Sequence, residues 1–187
     1  MLLIMPMLFL SGCFNFTQEK DKKPPTDERS RIIEHSDFTM KIPREWDVIE
    51  PKDFTSEVPQ NTLMVLRNNV KNENFTANVN ILKNNLQLPK ETLEYAKEVI
   101  NRQKNGLYNY KETKKDLVKI QIGDKKYDTY IVYFEGKKSP ESELAKFVQT
   151  FGVKGNFAYI VTGAVSPNEN SNTVNVVEDI VKTFVLK

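Results

Sequence analysis

Apolar and polar positions along the chain change period several times, and each change marks an element. Phe38, Met40 and Ile42 alternate with Asp37, Thr39 and Lys41, the pattern of a strand with one buried face. Pro43 has no amide hydrogen for a ladder and ends it. Leu63 and Val65, with Leu66, predict a second strand, and Ala77, Val79 and Ile81 set against Asn78, Asn80 and Leu82 predict a third. Residues 68–74 make the turn between them. The period then becomes helical. Pro89-Lys90-Glu91 suits a helix opening, where proline loses no bond and acids meet the positive end of the dipole. Leu93, Ala96, Val99, Ile100 and Gln103 follow at helical spacing, with Gly106 in the place of a C-terminal cap.

Strands resume at 108–114, 117–122 and 127–134, the last two joined through Gly123-Asp124. Residues 147–153 and 157–164 predict a hairpin turning at Lys154-Gly155-Asn156. Val174, Val177, Ile180, Val181 and Phe184 give a closing amphipathic helix. Many antiparallel strands with two separated helices predict an α+β domain, its helices packed on an antiparallel sheet.

Two stretches ahead of this domain follow neither period. Residues 1–10 read MLLIMPMLFL. To Gly12 a helix would span roughly 18 Å, short of a bilayer core of about 30 Å, so the run reads as the apolar part of a signal peptide. No Lys or Arg precedes it, although signal peptides ordinarily begin with positive charge. Leu10-Ser11-Gly12-Cys13 resembles the lipobox of bacterial lipoproteins. That resemblance implies peptidase recognition at Leu10, Ser11 and Gly12, and diacylglyceryl transfer to the Cys13 thiol. Two acyl chains suffice for stable anchoring. The expected location is the cell membrane, with the domain lipid-anchored on the extracytoplasmic side. Of the seventeen residues from Phe14 to Ser30, eight are charged, and Pro24-Pro25 forbids a helix. Such a segment reads as an unstructured tether. The expected organisation is a signal peptide over 1–12, a tether over 13–31 and a globular domain over 32–187.

Removing twelve residues from 187 leaves 187 − 12 = 175, the size of one domain. The formal net charge is +2, and Lys outnumbers Arg 22 to 5. Nucleic acid calls for a basic patch and is read best by arginine, so the balance argues against that partner. One cysteine excludes an internal disulfide and a thiolate metal cage. One histidine, His35, excludes two-histidine metal sites, and its position at the tether's edge reads as an exposed linker rather than as the base of a Ser-His-Asp site. Residues 68–74 are rich in amides but hold one acid, Glu73, which is too few for a calcium loop.

Part of the pattern resembles the PsbP/Mog1-like fold. Phe38-Thr39-Met40-Lys41-Ile42-Pro43 followed by Trp46 is similar to its opening strand and turn. Residues 149–164 are similar to its terminal hairpin, and Asp179 to Phe184 to its final helix. The resemblance implies an α/β/α sandwich and a mainly noncatalytic kinship of accessory and partner-binding proteins. It transfers no functional residue set.

The expected function is therefore that of a noncatalytic accessory or binding module for an envelope protein or complex, without a cofactor. Docking would use the sheet edge or the Trp46 region. Trp46 either plugs one end of the sheet or rims a partner surface with Phe54 and Tyr159. Two other classes stay open. A hydrolase of envelope glycans or lipids needs two carboxylates facing one cleft, with Glu141/Glu143 and Glu178/Asp179 as the paired acids available. A carrier of small apolar ligands needs a sizeable cavity beneath the helices.

Overall fold

The computed structural model describes residues 29–54, 58–70 and 75–187. Cys13, with Leu10, Ser11 and Gly12 before it and the tether to residue 28 after it, lies outside these residues, as does the core of the 68–74 loop. The described elements in chain order are β1 (Ser30–Glu34), β2 (Phe38–Pro43), β3 (Asp47–Ile49), β4 (Thr62–Arg67), β5 (Asn78–Asn85), α1 (Thr92–Gly106), β6 (Tyr108–Ile122), β7 (Lys125–Lys137), β8 (Ala145–Lys154), β9 (Phe157–Val165), α2 (Ser171–Lys182) and β10 (Val185–Leu186).

All ten strands join one sheet in the order β1-β2-β10-β6-β7-β8-β9-β5-β4-β3. Every pairing is antiparallel except that of β10 with β6. The α+β expectation holds, with a sheet larger than the pattern predicts. Neighbouring residues on a strand look to opposite faces, and the core divides accordingly. Tyr95, Ala96, Val99 and Ile100 of α1 pack on Val132, Phe134, Phe151, Ala158 and Ile160. Val177, Ile180 and Val181 of α2 pack with Phe38, Met40, Ile42, Val148 and Val161. Phe147 and Val148, adjacent on β8, belong to these separate clusters. One helix thus covers each face.

Two glycines set how closely the second face is packed. A Cβ on Gly163 would stand 2.3 Å from Cγ1 of Val177 and 2.9 Å from Cγ1 of Val148, so α2 can lie on β9 only where that carbon is missing. A Cβ on Gly152 would stand 2.7 Å from Cδ1 of Leu186, the anchor of β10.

Several expectations are corrected. β1 starts at Ser30, two residues before the boundary read from composition, and His35 is not a linker residue. It sits in the β1–β2 turn, its ring stacked 4.7 Å from that of Phe38. Residues 108–114 and 117–122 form one strand of 15 residues, because register shifts near Lys111 and Lys114 absorb the break in alternation. β4 buries Thr62, Met64 and Leu66 and leaves Leu63 and Val65 half-buried; four apolar residues in a row cannot choose a face by period. α1 starts at Thr92 and keeps Gly106 as its last residue. α2 ends at Lys182, so Phe184 lies in the link to β10, still only 3% exposed.

Candidate functional site

Three cavities flank α2. The largest of them, about 460 Å³, lies between α2 and β2 with Glu45 and Asp179 in its lining, and two smaller ones lie along the opposite flank. Val174, Val177, Glu178, Val181 and Lys182 recur at helical spacing on that opposite flank and face β6 and β7 across the two smaller cavities. The first of these, about 170 Å³, is bordered by Thr113, Tyr133, Glu135, Val148, Gly163, Val174, Val177 and Glu178. The second, about 290 Å³, lies between Val118 to Gln121 of β6 and Val181 to Val185. Both fall below the roughly 300–1,000 Å³ of a small-molecule site, so each suits an inserted side chain better than a sugar or a lipid tail.

The first cavity carries the one polar constellation of this groove. The Tyr133 hydroxyl donates to Oε1 of Glu178 at 2.6 Å, and the Lys182 ammonium bonds the same oxygen. Burial and the adjacent Glu178 charge push the Tyr133 phenol well above its usual range, so it stays protonated and donating. Burial alone would raise the Glu178 carboxyl. The hydrogen bonds from Lys182 and Tyr133 outweigh it and hold the group below its ordinary value. Glu178 and Glu135 are two acids at one concavity, the feature a hydrolase would need. Yet Glu178 is kept ionised and occupied by two donors, and the cavity is too small for a glycan ring beside them.

The acid pairs picked out by sequence do not come together. Glu141 and Glu143 are exposed beside the turn in which Ser139 and Ser142 bond each other, and neither borders a cavity described above. Glu178 and Asp179 diverge to opposite flanks of α2, Asp179 toward the β2 side. Among the described residues, no group of three or more His, Cys, Asp and Glu side chains could hold a metal ion. No helix among them is long and apolar enough to cross a membrane.

A second polar cluster ties the start of β2 to β5 and β9. Lys83 Nζ lies 2.6 Å from Oδ2 of Asp37, and the Tyr159 hydroxyl donates to the same oxygen at 3.1 Å. The Lys83 ammonium also stands 4.2 Å from the centre of the Phe157 ring. The hydrogen bond from Lys83 lowers the Asp37 carboxyl, and the same bond raises the Lys83 ammonium. Both charged forms are thereby favoured, the opposite of the tuning that makes a lysine a nucleophile. The cluster is a structural clamp.

Tyr159 is thus a core ring, 3% exposed, held at the Asp37 end of β2. Trp46 is also 3% exposed and follows Pro43 at the other end of that strand, where its carbonyl accepts from Arg31. Phe54 follows a short 3-10 turn, Pro51–Asp53, and is half-buried. The fold does not bring Trp46 and Tyr159 together. The sequence pointed to Glu178 only beside Asp179; nothing in it joined Glu178 to Tyr133, which lies 45 residues away and meets it only when α2 docks.

No family model matches the sequence, and no curated protein matches it either. Solved structures do share the fold. Cyanobacterial PsbP (CyanoP) of Synechocystis superposes with a TM-score of 0.58 at 8% identity, over 90% of this chain and 99% of that one. LpqN of Mycobacterium tuberculosis, described as involved in cell envelope biogenesis, gives 0.53 at 13% identity over 84% and 90%. A Pseudomonas aeruginosa protein of unknown function gives 0.54 at 12% identity over 85% and 98%. At these identities the likeness establishes the fold alone: the described residues share the fold of PsbP.

Proposed function

We propose that this chain is a noncatalytic bacterial lipoprotein, anchored through acylated Cys13 on the extracytoplasmic side of the cell membrane. Its domain serves an envelope protein or complex as an accessory or binding module. The observation that carries the reading is Leu10-Ser11-Gly12-Cys13 at the end of an apolar run, followed by a charged tether and one compact domain. The fold it shares with CyanoP and with LpqN, an envelope-biogenesis protein, supports it. So does the occupied state of Glu178, which leaves the α2 groove suited to contact rather than turnover.

Labelling growing cells with an alkyne-tagged fatty acid tests it. The wild-type chain takes up label at Cys13, loses its first twelve residues and sediments with membranes, whereas the Cys13→Ala chain takes up none and is released. A Cys13→Ala chain that stays with the membrane, or a native mass that includes the leader and no acyl group, contradicts the proposal.

A further inference from the structure

The strand β6 is paired along its whole length on one side and almost nowhere on the other. β7 runs beside it from Tyr108 to Ile122. On the opposite side, among the described residues, the only partner is β10, which reaches it at Ile122 alone. From Tyr108 to Gln121 the second edge therefore has no strand of the described residues beside it. The second cavity lies against this edge. Val118, Lys119, Ile120 and Gln121 border it together with Phe184 and Val185 where the chain enters β10, and it continues under α2 to Thr129 and Ile131 of β7 and Thr150 of β8.

Open strand edges are templates for another strand, and folded proteins usually shorten, cover or charge them. β6 is charged. Lys115 and Lys119 flank Leu117 on one face of the strand, and Leu117 is 60% exposed between them. Lys115 lies 3.3 Å from Glu112 and Lys119 2.7 Å from Asp128 in exposed pairs. An incoming carboxylate would thus be a second partner for ammonium groups with three donors each. Leu117 stands opposite Tyr130 and Val118 opposite Thr129, which fixes the two faces. On the α2 side Val118 and Ile120 present apolar surface toward the groove. Cross-strand neighbours share a face, and opposite charges there attract while like charges repel. A second copy of this chain is disfavoured on that ground: pairing Leu117 with its copy would set Lys115 against Lys119.

We infer that β6 is a docking edge for an extended, acidic segment of a partner protein, added to the sheet as an eleventh strand. The segment carries an apolar residue opposite Leu117, acids opposite Lys115 and Lys119, and small apolar residues on the intervening positions that enter the α2 groove. Its backbone bonds the free edge, and its charges convert a guard against indiscriminate pairing into a selector. This rests on the binding-module reading and names the surface and chemistry of the contact.

The test uses the full chain in lipid nanodiscs and two fluorescent peptides, Gly-Ser-Glu-Val-Leu-Val-Glu-Ser-Gly and its counterpart with Lys in place of Glu. Anisotropy titrations should give the acidic peptide an affinity higher by about tenfold, abolished when its alternate amides are N-methylated. The Lys115→Glu/Lys119→Glu chain, altered only at exposed positions, should reverse the preference. Equal affinities, a preference that survives the charge swap, or no binding by either peptide up to about 1 mM would overturn the inference. So would a chain that sediments as a dimer with its β6 edge occupied. A chain that remains acylated and membrane-bound yet fails these titrations loses the docking edge while keeping the anchor.

Discussion

β2 and β6 stand on either side of β10, and the molecule treats them in opposite ways. β2 buries Phe38, Met40 and Ile42 almost completely and is paired with β1 on one side and β10 on the other. Where β10 stops, Thr183 takes over: its Oγ1 accepts from the Lys41 amide at 3.0 Å and lies 3.2 Å from the Lys41 carbonyl. β6 receives no such seal, keeps its first eight residues largely exposed, and spaces lysines along its length. Two strands with one neighbour in common thus divide the work. β2 is where side-chain burial secures α2 to the sheet, and β6 is where backbone is left open and guarded by charge. An edge kept open over so many residues costs stability that pairing would have supplied, so its retention fits a surface used for contact.

The division can be broken first at its sealed side. Phe38→Ala removes a ring with no exposed surface that touches Phe184 and His35, and should cost about 3–5 kcal/mol in urea denaturation. A loss under about 1 kcal/mol would mean that β2 is not the keystone. Gly163→Ala comes next. The new methyl meets Val177 and Val148, so α2 must lift, at about 1–3 kcal/mol, with faster exchange of the α2 amides.

Acid should weaken the same half by less. Asp37 and Glu178 both titrate below their ordinary range when folded. The unfolded chain therefore takes up protons first as pH falls. The stabilisation is whole above about pH 5 and is lost below about pH 4 as the folded carboxyls protonate. Both pairs are near the surface and solvent-screened, so each contributes no more than about 1 kcal/mol. An Asp37→Asn/Glu178→Gln chain should show a shallower acid limb in thermal melts from pH 6 to 3. The smallest effect belongs to the open side. Leu117→Ala should change stability by less than about 0.5 kcal/mol, although it removes a large apolar residue.

The legibility of the chain follows the same divide. β2, β5 and both helices announce themselves because one face of each is buried, and such burial imposes a period on sequence. The β8–β9 hairpin, buried on both faces, shows instead as two apolar runs either side of Gly155. β1, with two adjacent isoleucines of which Ile32 is 66% exposed, carries no such period. β3 and β10, at three and two residues, are too short to show one. β6 looked like two strands because its exposed middle has no buried face to keep in phase. The groove was hidden for another reason: Tyr133, Glu178 and Lys182 become neighbours only through the docking of α2. Trp46 and Tyr159 drew notice as aromatic residues able to rim a surface, and packing uses both in the core.

Hydrogen exchange compared between the purified chain and the chain in its native envelope, read separately for β2 and β6, bears on all of this at once. The amides of β2 should be slow in both samples. Those of residues 108–121 that face away from β7 should exchange freely in the purified chain and become protected in the envelope. Slow exchange along that edge already in the purified chain, or no gain of protection in the envelope, would show that β6 is not a surface held open for a partner.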